Sequence, residues 1–119
     1  MPNIFSRLAF KLSLTENLVL TYNEPFLIAA AQELSFAYNI FTKLRFSVKL
    51  IERFGKNIEF KILQDGRDIY DSGVKAGCAE EEIEVEAGLV TLVITNANLL
   101  ESKQGFVTVL VKKITSENK

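Results

Sequence analysis

Glu86-Ala87-Gly88-Leu89-Val90-Thr91-Leu92-Val93-Ile94-Thr95-Asn96-Ala97-Asn98, running on through Leu99 to Gln104 and then Gly105 to Ile114, decides the fold. Leu89 to Ile94 and Gly105 to Ile114 are densely β-branched at odd and even positions alike. Branching at Cβ stiffens the side chain and suits a pleated surface. A strand that is apolar on both faces is expected to be covered on both. These runs therefore predict two strands, joined by a polar connection, paired near the middle of a sheet inside a packed domain.

Working outward, the same period of two recurs. Leu44, Phe46, Val48 and Leu50 alternate with Arg45, Ser47, Lys49 and Ile51, which predicts a strand over 43–53 with one buried face. Phe54-Gly55-Lys56-Asn57 turns the chain, and Ile58, Phe60 and Ile62 face inward from the next strand. Asp65-Gly66 is a hairpin signal, because glycine tolerates positive φ. Arg67 to Tyr70 returns as a short strand, Asp71 to Cys78 reads as a loop, and Glu80 to Glu86 reads as a strand with an acidic outer face.

Toward the N-terminus, Phe10, Leu12 and Leu14 predict a strand, and Leu18 to Tyr22 a second. Asn23-Glu24-Pro25 is expected to end it, since proline cannot donate to a ladder. Phe26 to Gln32 is read as strand, with a helical turn over its alanines as the alternative. Leu34, Phe36 and Tyr38 predict a further strand, continuous with the one before it if 26–32 is extended.

Eight to ten short strands with hairpin-like spacing predict an all-β fold, an antiparallel β-sandwich of jelly-roll type. The 119 residues fit one domain, with 1–9 as an N-terminal arm and 115–119 as a polar tail. At 48% hydrophobic and 24% charged the chain is globular in composition.

Composition also bounds function. The net charge of −1 and the lack of a basic stripe argue against nucleic-acid binding. With no histidine there is no imidazole for a general base, a triad or most zinc sites. An enzyme is therefore not expected, nor a cofactor. Asp65, Asp68 and Asp71 recur at spacing three, but without the glycine and closing glutamate of a Ca²⁺ loop they read as turn residues. The glutamates at 80, 81, 82, 84 and 86 read as the solvated face of an edge strand. Cys78 stands alone, so no intrachain disulfide forms, which suits a reducing compartment such as the cytoplasm. No run approaches a membrane span, and Met1 to Leu14, interrupted by Arg7 and Lys11, does not read as a secretory signal.

Leu44-Arg45-Phe46 with Gly55-Lys56-Asn57-Ile58, and Glu86-Ala87-Gly88 with Val90, Leu92, Asn96, Lys103 and Val107, form a pattern. Over about residues 34–114 it resembles the GOLD domain, the β-sandwich module of the emp24/p24 cargo receptors and some lipid-transfer proteins. The likeness lapses at Val90, Thr95 and Leu99-Leu100. The resemblance implies a protein–protein interaction module. The expected function is thus a non-enzymatic adaptor or assembly subunit binding a protein or a second copy. The alternative is a module for carbohydrate or lipid. Two places are candidates for partner contact. Leu99, Leu100 and Glu101 interrupt a polar connection, and either present an apolar contact or fold over the end of the sandwich. Ile4, Phe5 and Leu8 of the arm are suited to a neighbouring subunit or to peripheral membrane contact, with burial as an edge element the alternative.

Overall fold

The computed structural model describes residues 17–114, and in that span holds nine β-strands and no helix. They are β1 (Asn17–Ile28), β2 (Glu33–Ile40), β3 (Leu44–Glu52), β4 (Asn57–Gln64), β5 (Arg67–Asp71), β6 (Lys75–Ala76), β7 (Cys78–Val85), β8 (Gly88–Thr95) and β9 (Lys103–Lys112). The expected strand over Phe10–Leu14, the arm and the tail fall outside the described residues.

Two antiparallel sheets pack face to face. One has the order β1-β9-β3-β7, the other β2-β8-β4-β5, with β6 also on β4. The chain passes back and forth between the layers, which is the jelly-roll winding expected of it. Phe46, Val48, Leu50, Val107 and Val109 of the first sheet meet Phe60, Ile62, Val90, Leu92 and Ile94 of the second, all fully buried. Each such side chain contributes about 1.5–3 kcal/mol relative to exposure. That layer holds the sandwich together.

The opening stretch is corrected in one respect. β8 and β9 do not pair: β8 lies between β2 and β4, and β9 between β1 and β3 in the opposite sheet. Their outward side chains are not covered by a third layer either. Thr91, Val93, Thr108 and Leu110 are half-buried, while Leu89 and Phe106 are exposed. An interior strand is flanked closely on both sides, so its outer face favours β-branched residues without being sealed.

Three further expectations fail locally. β1 does not stop at Pro25 but runs to Ile28, because it is an edge strand whose outer side needs no N–H. It absorbs the irregular Asn23-Glu24-Pro25 through register shifts between Val19 and Thr21 and between Thr21 and Glu24. Residues 26–32 are strand only to Ile28. The chain then turns, with Ala31 at φ 60°, and β2 starts in the other sheet rather than continuing β1. Within the expected loop 71–78, Lys75 and Ala76 pair with Ile58 and Asn57.

The hairpin at Asp65-Gly66 is present, with φ of 50° and 86° as a two-residue turn of this hand requires. Its tip clasps the β7–β8 connection. The Gln64 amide donates to the Glu86 carbonyl at 3.2 Å and accepts the Glu86 N–H at 2.8 Å, and Asp65 Oδ1 accepts the Leu89 N–H at 2.9 Å. β7 is the acidic edge foreseen. Glu80, Glu82 and Glu84 point outward across from Lys49, Ser47 and Arg45, and Glu82 meets Lys112 at 2.7 Å.

Candidate binding site at the loop end

Three connections close one end of the sandwich: residues 29–32, 53–56 and 96–102. Two buried polar side chains hold them. Glu52 continues the inward register of Phe46, Val48 and Leu50, so its carboxylate is carried into the interior, where it is 2% exposed. There it accepts the N–H groups of Phe54 and Lys56 at 2.8 Å each and of Gln104 at 3.0 Å. Burial pushes the carboxyl pKa up, but these donors and the nearby Lys56 ammonium outweigh it and hold it below its ordinary value.

Asn96 does the same for the β8–β9 connection. It is 1% exposed, and its Nδ2 donates to the carbonyls of Ile28 and Ala29 at 3.1 Å and of Glu101 at 2.8 Å. Its Oδ1 accepts the Asn98 N–H at 3.0 Å, and Asn98 Oδ1 in turn accepts from Leu100 and Glu101 at 2.7 and 2.9 Å. Backbone bonds from Ala31 to Asn98 and from Asn96 to Gln32 tie this loop to the β1–β2 turn.

The consequence is a fixed tip. Leu99 is 77% exposed and Leu100 91%, so they do not fold over the sandwich end. Glu101 lies beside them and pairs with Lys56 at 3.0 Å. Lys56 and Arg53 flank the ring of exposed Phe54, at 5.9 and 5.5 Å from its centre. The structure thus gathers Leu99, Leu100 and Glu101 at one tip. Ile4, Phe5 and Leu8 lie outside the described residues.

Beside the tip is an open cleft of about 230 Å³ lined by Asn57, Ile58, Glu59, Val74, Thr95, Ala97, Asn98 and Lys103. Neighbouring strands place Thr95 directly across from Glu59 on one side and Glu33 on the other. Lys103, in the inward register of β9, is 8% exposed and donates to the carbonyl of Asn57. Among the described residues no carboxylate lies within ion-pair distance of it. The cleft therefore offers amide, carboxylate, hydroxyl and ammonium groups on strands, with Val74 and Ala97 as apolar wall. It has hydrogen-bonding chemistry and no nucleophile–base pair. Nor do the described residues contain a group of three or more His, Cys, Asp or Glu able to hold a metal ion.

Sequence reasoning did not select Asn57, Glu59, Thr95 or the buried Glu52 and Lys103 as site residues. For the last two a signal existed: a charged residue in the inward phase of an apolar alternation. Such a residue is either paired or functional.

No family model matches the chain, and no curated protein matches it. Solved structures do. The pre-peptidase C-terminal domain of a collagenase from Bacillus anthracis superposes with a TM-score of 0.55 at 9% identity, covering 76% of this chain and 89% of that one. A family 35 carbohydrate binding module from Clostridium thermocellum gives 0.55 at 10% identity, covering 79% and 96%. A Clostridium perfringens structure with an M60 catalytic domain and two CBM51 domains gives 0.52 at 15%, covering 77% of this chain and 11% of that one. At such identities the likeness defines the fold, a β-sandwich of the kind these modules use. The GOLD resemblance is corrected by it, since the neighbours are carbohydrate-binding modules and pre-peptidase domains. The residues quoted for that resemblance are strand alternation plus turn glycine, features any sandwich of this size shares.

Among the described residues no helix is long and apolar enough to cross a membrane.

Proposed function

We propose that this chain is a non-catalytic binding module whose ligand is a carbohydrate, held in the cleft at the loop end. The observation that carries the reading is the lining itself. Asn57, Glu59, Thr95 and Lys103 set donors and acceptors on rigid strands beside the apolar Val74 and Ala97. A sugar ring has the matching character, with hydroxyls around its rim and C–H groups on its faces. The cleft is smaller than the roughly 300–1,000 Å³ of drug-sized sites, which suits one ring rather than a long chain. The family 35 module, named for carbohydrate binding, supports the reading by its fold. No aromatic side chain lines the cleft, so binding rests on hydrogen bonds and is weak. A glycan array followed by calorimetry tests it. Binding that is lost in Glu59→Ala, with folding intact, supports it; silence across the array removes it.

A second reading has its own observation. Leu99 and Leu100 project from a loop whose backbone is already fixed, so an apolar contact there loses little conformational entropy on binding. The occupant would be a protein partner, making the module an adaptor. Leu99→Ser with Leu100→Ser should abolish such a complex while leaving sugar binding intact. A cytoplasmic setting suits Cys78, which is exposed and lacks a disulfide partner. Membrane contact through Ile4, Phe5 and Leu8 is tested by vesicle flotation of the full chain.

A further inference from the structure

Lys103 is a buried cation whose needs the fold meets only in part. It stands in the inward phase of β9, 8% exposed, in line with Gly105, Val107 and Val109. An ammonium carries three donors, and the Asn57 carbonyl takes one. Among the described residues no carboxylate lies within ion-pair distance of it. The acidic side chains outside those residues are Glu16 and Glu117. They join the sheet at its other end, where Asn17 faces Lys112, about 30 Å along β9 from Lys103. A buried charge is costly unless it is paired, so Lys103 calls for an anion, and the cleft it lines gives one access.

Asn98 adds a second donor of fixed direction. Its N–H donates to Asn96 Oδ1, and its carbonyl accepts the Ala31 N–H. Its Oδ1 accepts from Leu100 and Glu101, which decides how the amide points and leaves Nδ2 as the remaining atom. Among the described residues Nδ2 has no acceptor, and Asn98 lines the same cleft as Lys103. Glu59 lines it too, from a different side. It follows the inward Ile58 and so faces the outer surface of its sheet beside Thr95, while Lys103 comes from between the sheets. The rim cation Lys56 is already paired, with Glu101 at 3.0 Å.

Resting on the carbohydrate reading of this cleft, we propose that the sugar it holds bears an acid group, a carboxylate or a sulfate ester, seated on Lys103 Nζ and Asn98 Nδ2. Such a group supplies what both donors lack. It offers acceptors to the remaining ammonium protons and to the amide, and it brings the counter-charge. A neutral hydroxyl accepts one of these bonds and leaves the charge uncompensated. Hydrogen bonds between ionised partners are also about twice as strong as neutral ones. The ring's other hydroxyls face Thr95 and Glu59, because the reverse pose sets the acid group against the Glu59 carboxylate.

Calorimetry on the full chain with matched sugars tests this: galacturonate against its uncharged methyl ester, and galactose 6-sulfate against galactose. The acid form of at least one pair should bind about tenfold tighter or more, with an advantage that shrinks as salt is added. Preference in the first pair identifies a carboxylate ligand, in the second a sulfate ester, and either supports the proposal. Lys103→Met should bring the two members of that pair to equal affinity while binding of the neutral form persists. If that variant misfolds, the affinity ratios of the natural chain decide alone. Equal affinity within both pairs overturns the proposal and leaves the carbohydrate reading standing, as does silence toward all of them when neutral glycans bind on the array. A preference kept in well-folded Lys103→Met also overturns it. Silence across the whole array removes both.

Discussion

Glu52 Oε2 lies 3.0 Å from the backbone nitrogen of Gln104, so a carboxylate at the end of β3 anchors the start of β9 from inside the protein. The other oxygen holds both N–H groups of the following turn, at Phe54 and Lys56. One side chain therefore fixes two of the connections that frame the cleft.

Removing it leaves three part-buried backbone N–H groups without their acceptor. Glu52→Ala should cost about 2–3 kcal/mol by urea denaturation, toward the lower end of about 1–3 kcal/mol for each orphaned group because water reaches part of this turn. Glu52→Gln keeps the shape but accepts through one oxygen only, and should fall between.

The same carboxyl predicts an acid dependence. Its folded pKa is depressed, so it stabilises the fold above the unfolded glutamate pKa, and that contribution is lost as pH falls through the folded value. Melting temperature should drop on acidification, and the drop should be smaller in Glu52→Gln. Equal slopes in both proteins would show that other carboxylates govern the acid limb.

Asn96 faces three carbonyl oxygens through its amide nitrogen. Asn96→Asp places an acceptor where only donors fit, and should destabilise by more than Asn96→Ala, for which about 2–4 kcal/mol is expected. Limited proteolysis should then cut within 97–102, where the natural chain resists.

Gly105 sits so close to β3 that a Cβ there would lie 1.8 Å from the Ile51 carbonyl oxygen. Gly105→Ala should therefore prevent folding or cost about 4 kcal/mol and more. Gly66→Ala meets nothing within 4 Å and only the strain of its φ of 86°, so about 1 kcal/mol is expected. The ratio of the two, read by thermal melts, separates steric conflict from backbone preference.

The strands were legible where alternation was clean, as at Phe46-Val48-Leu50 and Ile58-Phe60-Ile62, and the Asp65-Gly66 turn declared itself through its need for positive φ. Partners were not legible. Alternation reports that Leu89–Ile94 and Gly105–Ile114 are strands, but β8 and β9, adjacent in sequence, sit in opposite sheets, and no local pattern encodes that crossing. Pro25 misled because its meaning depends on whether a strand is an edge. The exposed Leu99-Leu100 tip was recognisable as a candidate; only the Asn96 and Asn98 hydrogen bonds decide that it projects. The cleft residues Asn57, Glu59 and Thr95 look like ordinary outward polar positions until the fold brings them together.

Titration of the isotopically labelled protein with a panel of monosaccharides, followed residue by residue by NMR, tests the central claim most directly. The account predicts saturable shifts confined to Asn57, Glu59, Thr95, Asn98 and Lys103, with the far end of the sandwich around Asp65 unmoved. An unchanged spectrum for every sugar, or shifts centred elsewhere on the surface, would contradict it.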